Sequence, residues 1–542
     1  MNKKSFSAAL FLAGVWTLLG LGGCRREAAP ANLILITLDT LRADHVGAYG
    51  SKPARTPAID ALAREGVVFE NAYSLIPITL PSHASIFFSK PPHAVRNYNN
   101  GQVVRKQRAY PSFVNLFRKE GFQTAAFVSL GILASEFGLN EGFQEYSDEF
   151  PAERWYLSAQ EVNQRVFPWL EALKDRRFFL WVHYSDPHEP YAPPDTADDT
   201  KVFLNGEVAG ECCLNKYMTQ TIDLKLKKGK NRLRFEVRNP APDDPGRFMA
   251  RLDKLVFAPE ADGKTFAAEF SGGWYLRRDD GVYFLKDKAG IGITCASGPC
   301  DAKITFRGKL LLSGDALRDG YRREVEYMDR EIGKLWETLR RLDLFDRTAI
   351  VMAGDHGEGL GEYRNTFGDE YYGHIHYLNE VFMKVPLIVR VPSPAGKGTR
   401  RPEVATLLDV APTIAGIMGF RGLPGFQGRD LLRLKKNAGM VVFQETYKPE
   451  AFQDRFAVLD RPRHLIYGPE AARYELFDLS KDPEEKQDLF AEGGPLPEIS
   501  ELKAKLETFA RDVLKNKGDI AIDGKAEEML KALGYVGQKK SR

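Results

Sequence analysis

The sequence predicts an α/β protein: a sheet flanked by helices, interrupted by an inserted antiparallel β domain and followed by a small C-terminal α+β subdomain. Three observations carry that prediction. Continuous apolar runs of strand length recur with amphipathic helical segments between them, an alternation that puts helices on both faces of a sheet. From about residue 201 to 306 this grammar gives way to short segments in which polar and apolar residues alternate, the period of a half-buried antiparallel strand. Beyond about residue 436 short strands return without long apolar runs. These shifts divide the chain into a leader (1–23), a core in two pieces (24–197 and 313–435), an insert (198–312) and a C-terminal subdomain (436–542). No internal repeat is present.

The composition narrows the class. Of 542 residues 43% are apolar, 11% aromatic and 27% charged, which excludes a disordered or multi-span membrane chain. Lys and Arg number 76 against 73 Asp and Glu, and a net charge of +3 gives no field for a polyanion, so nucleic acid is excluded as a partner. Lys3 and Lys4 precede an apolar stretch from Phe6 to Leu19 that runs into Leu21-Gly22-Gly23-Cys24. This resembles a bacterial lipoprotein signal peptide, which implies acylation of Cys24 and a lipid anchor in a membrane of the cell envelope, on its periplasmic or cell-surface side. The other four cysteines, 212, 213, 295 and 300, fall in the insert, where an oxidising compartment permits disulfides.

In chain order, the run from Leu33 to Leu38 reads as a buried parallel strand ending at Asp39. Thr56 reads as an N-cap and Pro57 as the first helical position of a helix through Ile59, Leu62 and Ala63 to Gly66. Val67-Val68-Phe69 follows as a strand. A helix from Ser112 through Phe113, Leu116 and Phe117 to Gly121 and a strand from Thr124 to Val128 repeat the pattern. Phe178 to Val182 is a central strand leading into His183 and Ser185-Asp186-Pro187-His188-Glu189-Pro190. In the insert, Thr221–Leu226 and Arg232–Val237 alternate on either side of a turn-prone Lys228-Gly229-Lys230-Asn231, as in a small sandwich. Its Trp274, Tyr275 and Tyr283 either form its core or stack on sugar rings. The core resumes with a helix carrying Val325, Met328, Ile332, Leu335, Trp336 and Leu339 at helical spacing. Thr348 to Ala353 is another buried strand, ending in Gly354-Asp355-His356-Gly357-Glu358. Val385 to Val389 is read as the last core strand, and Asp409 to Ile414 opens a helix. Strands around Val441, Leu465–Tyr467 and Tyr474–Phe477, with a turn at Gly468-Pro469, make up the C-terminal subdomain.

Asp39, Asp186 with His188, and Asp355 with His356 each lie just past the carboxyl end of a buried strand, the edge at which open α/β sheets bind ligands. Pro81 as an early helical position puts Thr79 at a helix N-terminus, where amides and the helix dipole stabilise an alkoxide or a bound oxyanion. His183 reads equally as a satisfied strand-end residue and as a ligand. Glu358 either orients His356 or begins a helix.

The order of these motifs resembles the sulfatases of the alkaline phosphatase superfamily. The resemblance rests on Asn32–His45, Thr79-Leu80-Pro81-Ser82-His83, His188-Glu189-Pro190, Gly354–Glu358, His376 upstream of Val385-Pro386-Leu387-Ile388, and Tyr474–Leu479 followed by Asp482-Pro483. It covers about residues 31–197 and 313–535 and excludes the insert. It implies an alkaline-phosphatase-like mixed sheet and metal-dependent hydrolysis of phosphate or sulfate esters on small, glycan or lipid substrates. The departures redirect the chemistry. Thr79 stands where the family's sulfatases carry the Cys or Ser that becomes formylglycine, and His83 where they carry Arg, so no formylglycine is expected. A sulfo-threonine lacks the exit that the formylglycine hydrate provides, whereas water displaces at the phosphorus of a phospho-threonine. Phosphate esters or diesters are therefore favoured over sulfate esters.

Thr40 and His356 stand where the family's calcium cage has Asp and Asn, and imidazole suits zinc, manganese or iron better than calcium. The expected metal set is Asp39, Thr79, Asp355 and His356, holding a divalent metal, Zn or Mn before Ca. Thr79 is the expected nucleophile. His188 and His376 are expected to donate to the oxyanion or protonate the leaving group. His93, Arg96 and His374 are further substrate-binding candidates. A second metal would draw on Asp186, His188 and His376 or His374. Transfer to an envelope glycan or lipid hydroxyl, and an inactive glycan-binding lipoprotein, are the alternative functions.

Overall fold

The structure, a computed structural model, describes residues 29–51, 53–104, 111–151, 154–173, 175–189, 191, 193, 201–211, 219–236, 250–259, 266–271, 274–277, 282–285, 288–295, 299–310, 313–364, 370–393, 396–421, 425–447, 453–493 and 499–517. The leader and Cys24, like Cys212 and Cys213, lie outside them. Among the described residues no helix is long and apolar enough to cross a membrane.

A nine-stranded mixed sheet forms the centre. Its strands are β1 (Asn32–Leu38), β2 (Val67–Tyr73), β3 (Gln123–Phe127), β4 (Glu145–Ser147), β5 (Phe178–Tyr184), β6 (Thr348–Gly354), β7 (Lys384–Val385), β8 (Leu387–Arg390) and β9 (Thr399–Thr406). The order is β7-β2-β8-β6-β1-β5-β3-β4, with β9 against β2. β1 lies between β5 and β6, parallel to both, and all three are buried along their whole length. This is why each reads as an unbroken apolar run.

Alternate β1 residues feed two cores. Leu33 and Leu35 pack with Phe179, Trp181 and Val351 on one face, and Ile34, Ile36 and Leu38 pack with Leu180, Ile350 and Met352 on the other. The first face is covered by α2 (Thr79–Phe88) and α5 (Val410–Met418). The second is covered by α1 (Pro57–Glu65), α3 (Ala159–Ala172) and α4 (Gly314–Arg341). Each fully buried Leu or Ile stabilises the sheet by roughly 1.5–3 kcal/mol.

Three local expectations change. Thr56 precedes α1, but its side chain accepts from Gly47 N and donates to Asp60. Asp329 of α4 supplies the cap, accepting from the amides of Ala58 (3.0 Å) and Ile59 (2.9 Å). The helix expected from Ser112 runs Val114–Lys119. Val385–Val389 is not the last core strand: it breaks at Pro386, which has no N–H for the ladder, into β7 and β8, and β9 follows, parallel to β2.

The strands between Lys201 and Leu310 form two five-stranded antiparallel sheets, closed on Val202, Leu224, Leu233, Phe235, Ile291, Ile304 and Phe306. Cys295 in this region is disulfide-bonded. The side chains of Trp274, Tyr275 and Tyr283 lie outside the described residues. Four more strands, Val442–Thr446 (β10), Arg455–Asp460 (β11), Arg463–Gly468 (β12) and Arg473–Asp478 (β13), make an antiparallel meander. Helix α6 (Ser500–Asn516) packs Leu502, Leu506, Ala510 and Val513 onto this meander and onto Ile76 and Ile78, the segment that enters α2. The C-terminal meander therefore braces the approach to Thr79.

Candidate active site

Register brings the strand-end residues together. Leu38 of β1 pairs with Gly354 of β6, so Asp39 and Asp355 emerge side by side, and Thr37 pairs with His183 of β5. Ligand atoms of Asp39, Asp355 and His356 lie within 4.8 Å of one another, all three residues being fully buried. His356 Nε2 is 3.7 Å from Asp39 Oδ1 and 3.4 Å from Asp355 Oδ2. Asp355 Oδ1 accepts from the amides of His356 (2.7 Å) and Thr40 (3.2 Å), while the Thr40 hydroxyl bonds its neighbour's carbonyl and stays out of the cluster.

Thr79 is the first residue of α2, and its Oγ1 stands 3.2 Å from His356 Nε2. Three contacts fix it there. Ser82 Oγ donates to the Asp355 carbonyl at 2.8 Å, Leu80 N donates to Asn100 Oδ1 at 2.9 Å, and His83 Nδ1 lies 2.8 Å from the Thr79 carbonyl. The far nitrogen of His83 accepts from the Thr37 hydroxyl at 3.0 Å, and Trp181 Nε1 donates to the same Oγ1.

The cluster is shaped for a cation. Both carboxylate oxygens of Asp39 and Oδ2 of Asp355 are buried with no hydrogen-bond partner among the described residues. Burying a polar atom unpaired costs on the order of 1–3 kcal/mol, more for a charge. Burial, with the neighbouring negative charges, holds both carboxyls well above their usual range. Burial also pushes the surrounding imidazoles down, His83 to about 4, His376 to about 3, and His183, His356 and His374 well below their ordinary value. These five imidazoles are therefore neutral at pH 7, each with one N–H to donate and one lone pair to offer. A divalent cation among Asp39, Asp355, His356 and Thr79 would satisfy the unpaired oxygens, so these residues fit a metal.

The other expected residues divide. His374, not His376, reaches the cluster: its ring lies 4.5 Å from that of His356 and 5.2 Å from that of His188. Ile375 at φ 90° turns the chain between the two histidines, and His376 lies against Tyr371 instead. Glu358 neither orients His356 nor begins a helix. It precedes the strand Gly359–Arg364, and its carboxylate meets His374 Nδ1 at 3.1 Å. Burial pushes the Glu358 carboxyl up to about 8. His188 Nδ1 lies 2.8 Å from the carbonyl of Glu189.

Asp186 does not join the cluster. Its Oδ1 accepts from the amide of Ala159 at 3.0 Å, at the start of α3, its Oδ2 is buried without a partner among the described residues, and no second group of three metal-ligating side chains is found among those residues. His93 is held from the C-terminal side: Glu445 of β10, itself buried, accepts from its amide and its Nδ1, both at 2.9 Å. Arg96, exposed and at φ 54°, ends the turn Pro92–Val95. The site's unforeseen members are Ser129 and Asn100. His183, read as either a strand-end residue or a ligand, is carried beside Asp39 by the pairing of β5 with β1.

A sulfatase family model matches residues 31–420, and a model of the C-terminal region of N-sulphoglucosamine sulphohydrolase matches residues 369–512. The chain is 22% identical to the N-acetylglucosamine-6-O-sulfatase of Bacteroides thetaiotaomicron over 92% of its own length and 90% of the relative's. It is also 22% identical to an arylsulfatase of Clostridium perfringens, over 84% of its length and 90% of the relative's. Its fold is similar to that of the phosphonate monoester hydrolase of Agrobacterium radiobacter, with a TM-score of 0.56 at 16% identity, over 90% of this chain and 95% of that one.

Proposed function

Because this chain belongs to the sulfatase family of ester hydrolases, with a family model spanning residues 31–420, we propose that it is a metal-dependent hydrolase whose nucleophile is Thr79. Its preferred substrates are monoanionic phosphorus esters, phosphodiesters or phosphonate monoesters, ahead of sulfate esters. One observation carries the reading. An unmodified threonine hydroxyl stands 3.2 Å from His356 Nε2, beside two carboxylates whose buried oxygens lack partners.

A divalent metal held by Asp39, Asp355, His356 and Thr79, zinc or manganese before calcium because of the imidazole, would acidify the hydroxyl and offset charge on the esterified oxygen. The chain's own groups do the rest. Ser82 and His83 tie the first turn of α2 to β6 and β1, fixing the direction from which Oγ1 attacks. Attack at phosphorus esterifies Thr79 and expels the substrate's alkoxide or aryloxide. His188, whose Nδ1 donates to Glu189 O, takes the proton that the Thr79 hydroxyl gives up and delivers it to the expelled oxygen. Water then displaces Thr79 from phosphorus, its proton passing to the threonine oxygen. In the second step threonine is the leaving group, which a sulfo-threonine offers no easy route to.

Charge balance selects the monoanion. The imidazoles are neutral, one oxygen of Asp186 is engaged at α3, and a single group of metal-ligating side chains stands among the described residues, which supports one cation rather than two. A phosphate monoester dianion would meet too little positive charge. We further infer that Cys24 is acylated and anchors the enzyme to a bacterial envelope membrane, on its periplasmic or cell-surface side. The Lys3-Lys4, apolar stretch and Gly-Gly-Cys order supports this, as does the disulfide at Cys295, which fits an oxidising compartment.

The test is to purify the protein without residues 1–24, measure bound metal, and assay nitrophenyl phosphate, its diester and nitrophenyl sulfate beside Thr79→Ala. Diester turnover above the other two, lost in Thr79→Ala, is expected. Sulfate turnover that survives Thr79→Ala would overturn the nucleophile, and absence of both metal and activity would favour a binding protein.

A further inference from the structure

Resting on the reading that Asp39, Asp355 and His356 hold a divalent cation, we propose that His183 is a further protein ligand of that cation, through Nε2. At Asp39, Asp355 and His183 four buried side-chain atoms have no hydrogen-bond partner among the described residues: Asp39 Oδ1, Asp39 Oδ2, Asp355 Oδ2 and His183 Nε2. His183 is itself 0% exposed. Its Nε2 lies 3.8 Å from Asp39 Oδ2, too far for a hydrogen bond. The spacing instead continues the series set by His356 Nε2, at 3.7 Å from Asp39 Oδ1 and 3.4 Å from Asp355 Oδ2. Donors bound at about 2.1 Å to one ion lie roughly 3–3.5 Å apart, so a contraction of a few tenths of an ångström brings His183 into the set.

The other ring nitrogen is already positioned for this. His183 Nδ1 is 2.8 Å from Ser129 Oγ, which gives its own proton to Ser185 Oγ at 2.8 Å, and the Ser129 amide approaches the same nitrogen at a longer 3.4 Å. The shorter contact governs: with Nδ1 donating to Ser129 Oγ, the lone pair stays on Nε2 and faces Asp39, the arrangement that metal-binding histidines use to fix their tautomer. His83 supplies the contrast. Its Nδ1 is only 3.6 Å from Asp355 Oδ2, but that nitrogen meets the Thr79 carbonyl and the other meets Thr37 Oγ1, so it has no nitrogen to offer. Two carboxylates and two imidazoles then face one ion. That set discriminates against calcium more strongly than one imidazole would.

X-ray absorption on the zinc-loaded protein counts the imidazoles, with no catalysis required. Two are expected in the wild type, one in His183→Gln and two in His83→Gln. Competition with a chromophoric chelator is expected to show zinc affinity falling about a hundredfold in His183→Gln and about tenfold in Ser129→Ala, the range that supporting groups of metal ligands span. A single imidazole in the zinc-loaded wild type would overturn the assignment of His183 while leaving the metal reading intact. A wild type that binds no zinc, manganese or iron would overturn both. Because the wild-type count decides alone, a variant that fails to fold does not obscure the answer.

Discussion

Replacing Asp186 by Asn separates a structural carboxyl from a metal ligand, and the pH dependence gives the two opposite signs. The carboxyl is buried against the start of α3, one oxygen accepting from Ala159 N and the other without a partner among the described residues. Burial raises its pKa from 3.8 to about 7, with the carboxylates of Glu331 and Glu161 adding to the effect and the amide of Ala159 opposing it. The folded protein therefore keeps a proton that the unfolded chain releases near pH 4. Stability from this group is intact below that pH and falls as pH rises toward 7. Some three units of pKa correspond to roughly 4 kcal/mol at most. Asn reproduces the neutral, amide-accepting carboxyl without titrating. Melting temperatures of wild type and Asp186→Asn, followed by circular dichroism from pH 4.5 to 8, are expected to start together. The variant then gains as pH rises, by several degrees at roughly 2 °C per kcal/mol for a core of this size, and levels off above pH 7. A difference that stays flat, or a variant that loses ground with rising pH together with bound metal, would mean that Asp186 is ionised and ligating, and would refute the placement argued above.

Two further outcomes follow from named contacts. Glu445→Ala removes the acceptor for His93 N, His93 Nδ1 and the Tyr447 hydroxyl, leaving buried donors unsatisfied. A loss on the order of 3 kcal/mol is expected in denaturant titrations. Burial lowers the His93 pKa but the Glu445 carboxylate outweighs it and the net shift is upward, so the pair's contribution is complete at acid pH and fades as pH rises through the raised value. Stripping with a chelator is expected to abolish turnover, and zinc or manganese, not calcium, to restore it; restoration by calcium alone would show that His356 is not a ligand.

The fold was legible where burial is complete. β1, β5 and β6 announce themselves as apolar runs because both of their faces are covered, and the residues that end them form the site. The insert was legible because its strands alternate. β9 was not, since its Thr-Arg-Arg-Pro half is largely exposed and only its second half is buried. The trio of Asp39, Asp355 and His356 could be read from strand ends, whereas the contact of Asp186, two residues before His188, with the start of α3 could not, because it depends on how that helix packs. The choice between His374 and His376 turned on the positive φ of Ile375, a backbone feature that a β-branched residue gives no reason to expect. Likewise His183 reaches Asp39 through cross-strand register.

Trapping the enzyme in mid-turnover tests the central claim most directly. The metal-loaded protein is mixed with excess nitrophenyl phosphodiester, acid-quenched within one turnover and digested, and the peptide containing Thr79 is read by tandem mass spectrometry. A phosphoryl ester on Thr79 that forms as nitrophenol is released and decays as turnover completes is expected. Steady nitrophenol release with an unmodified Thr79 peptide at every quench time would contradict it.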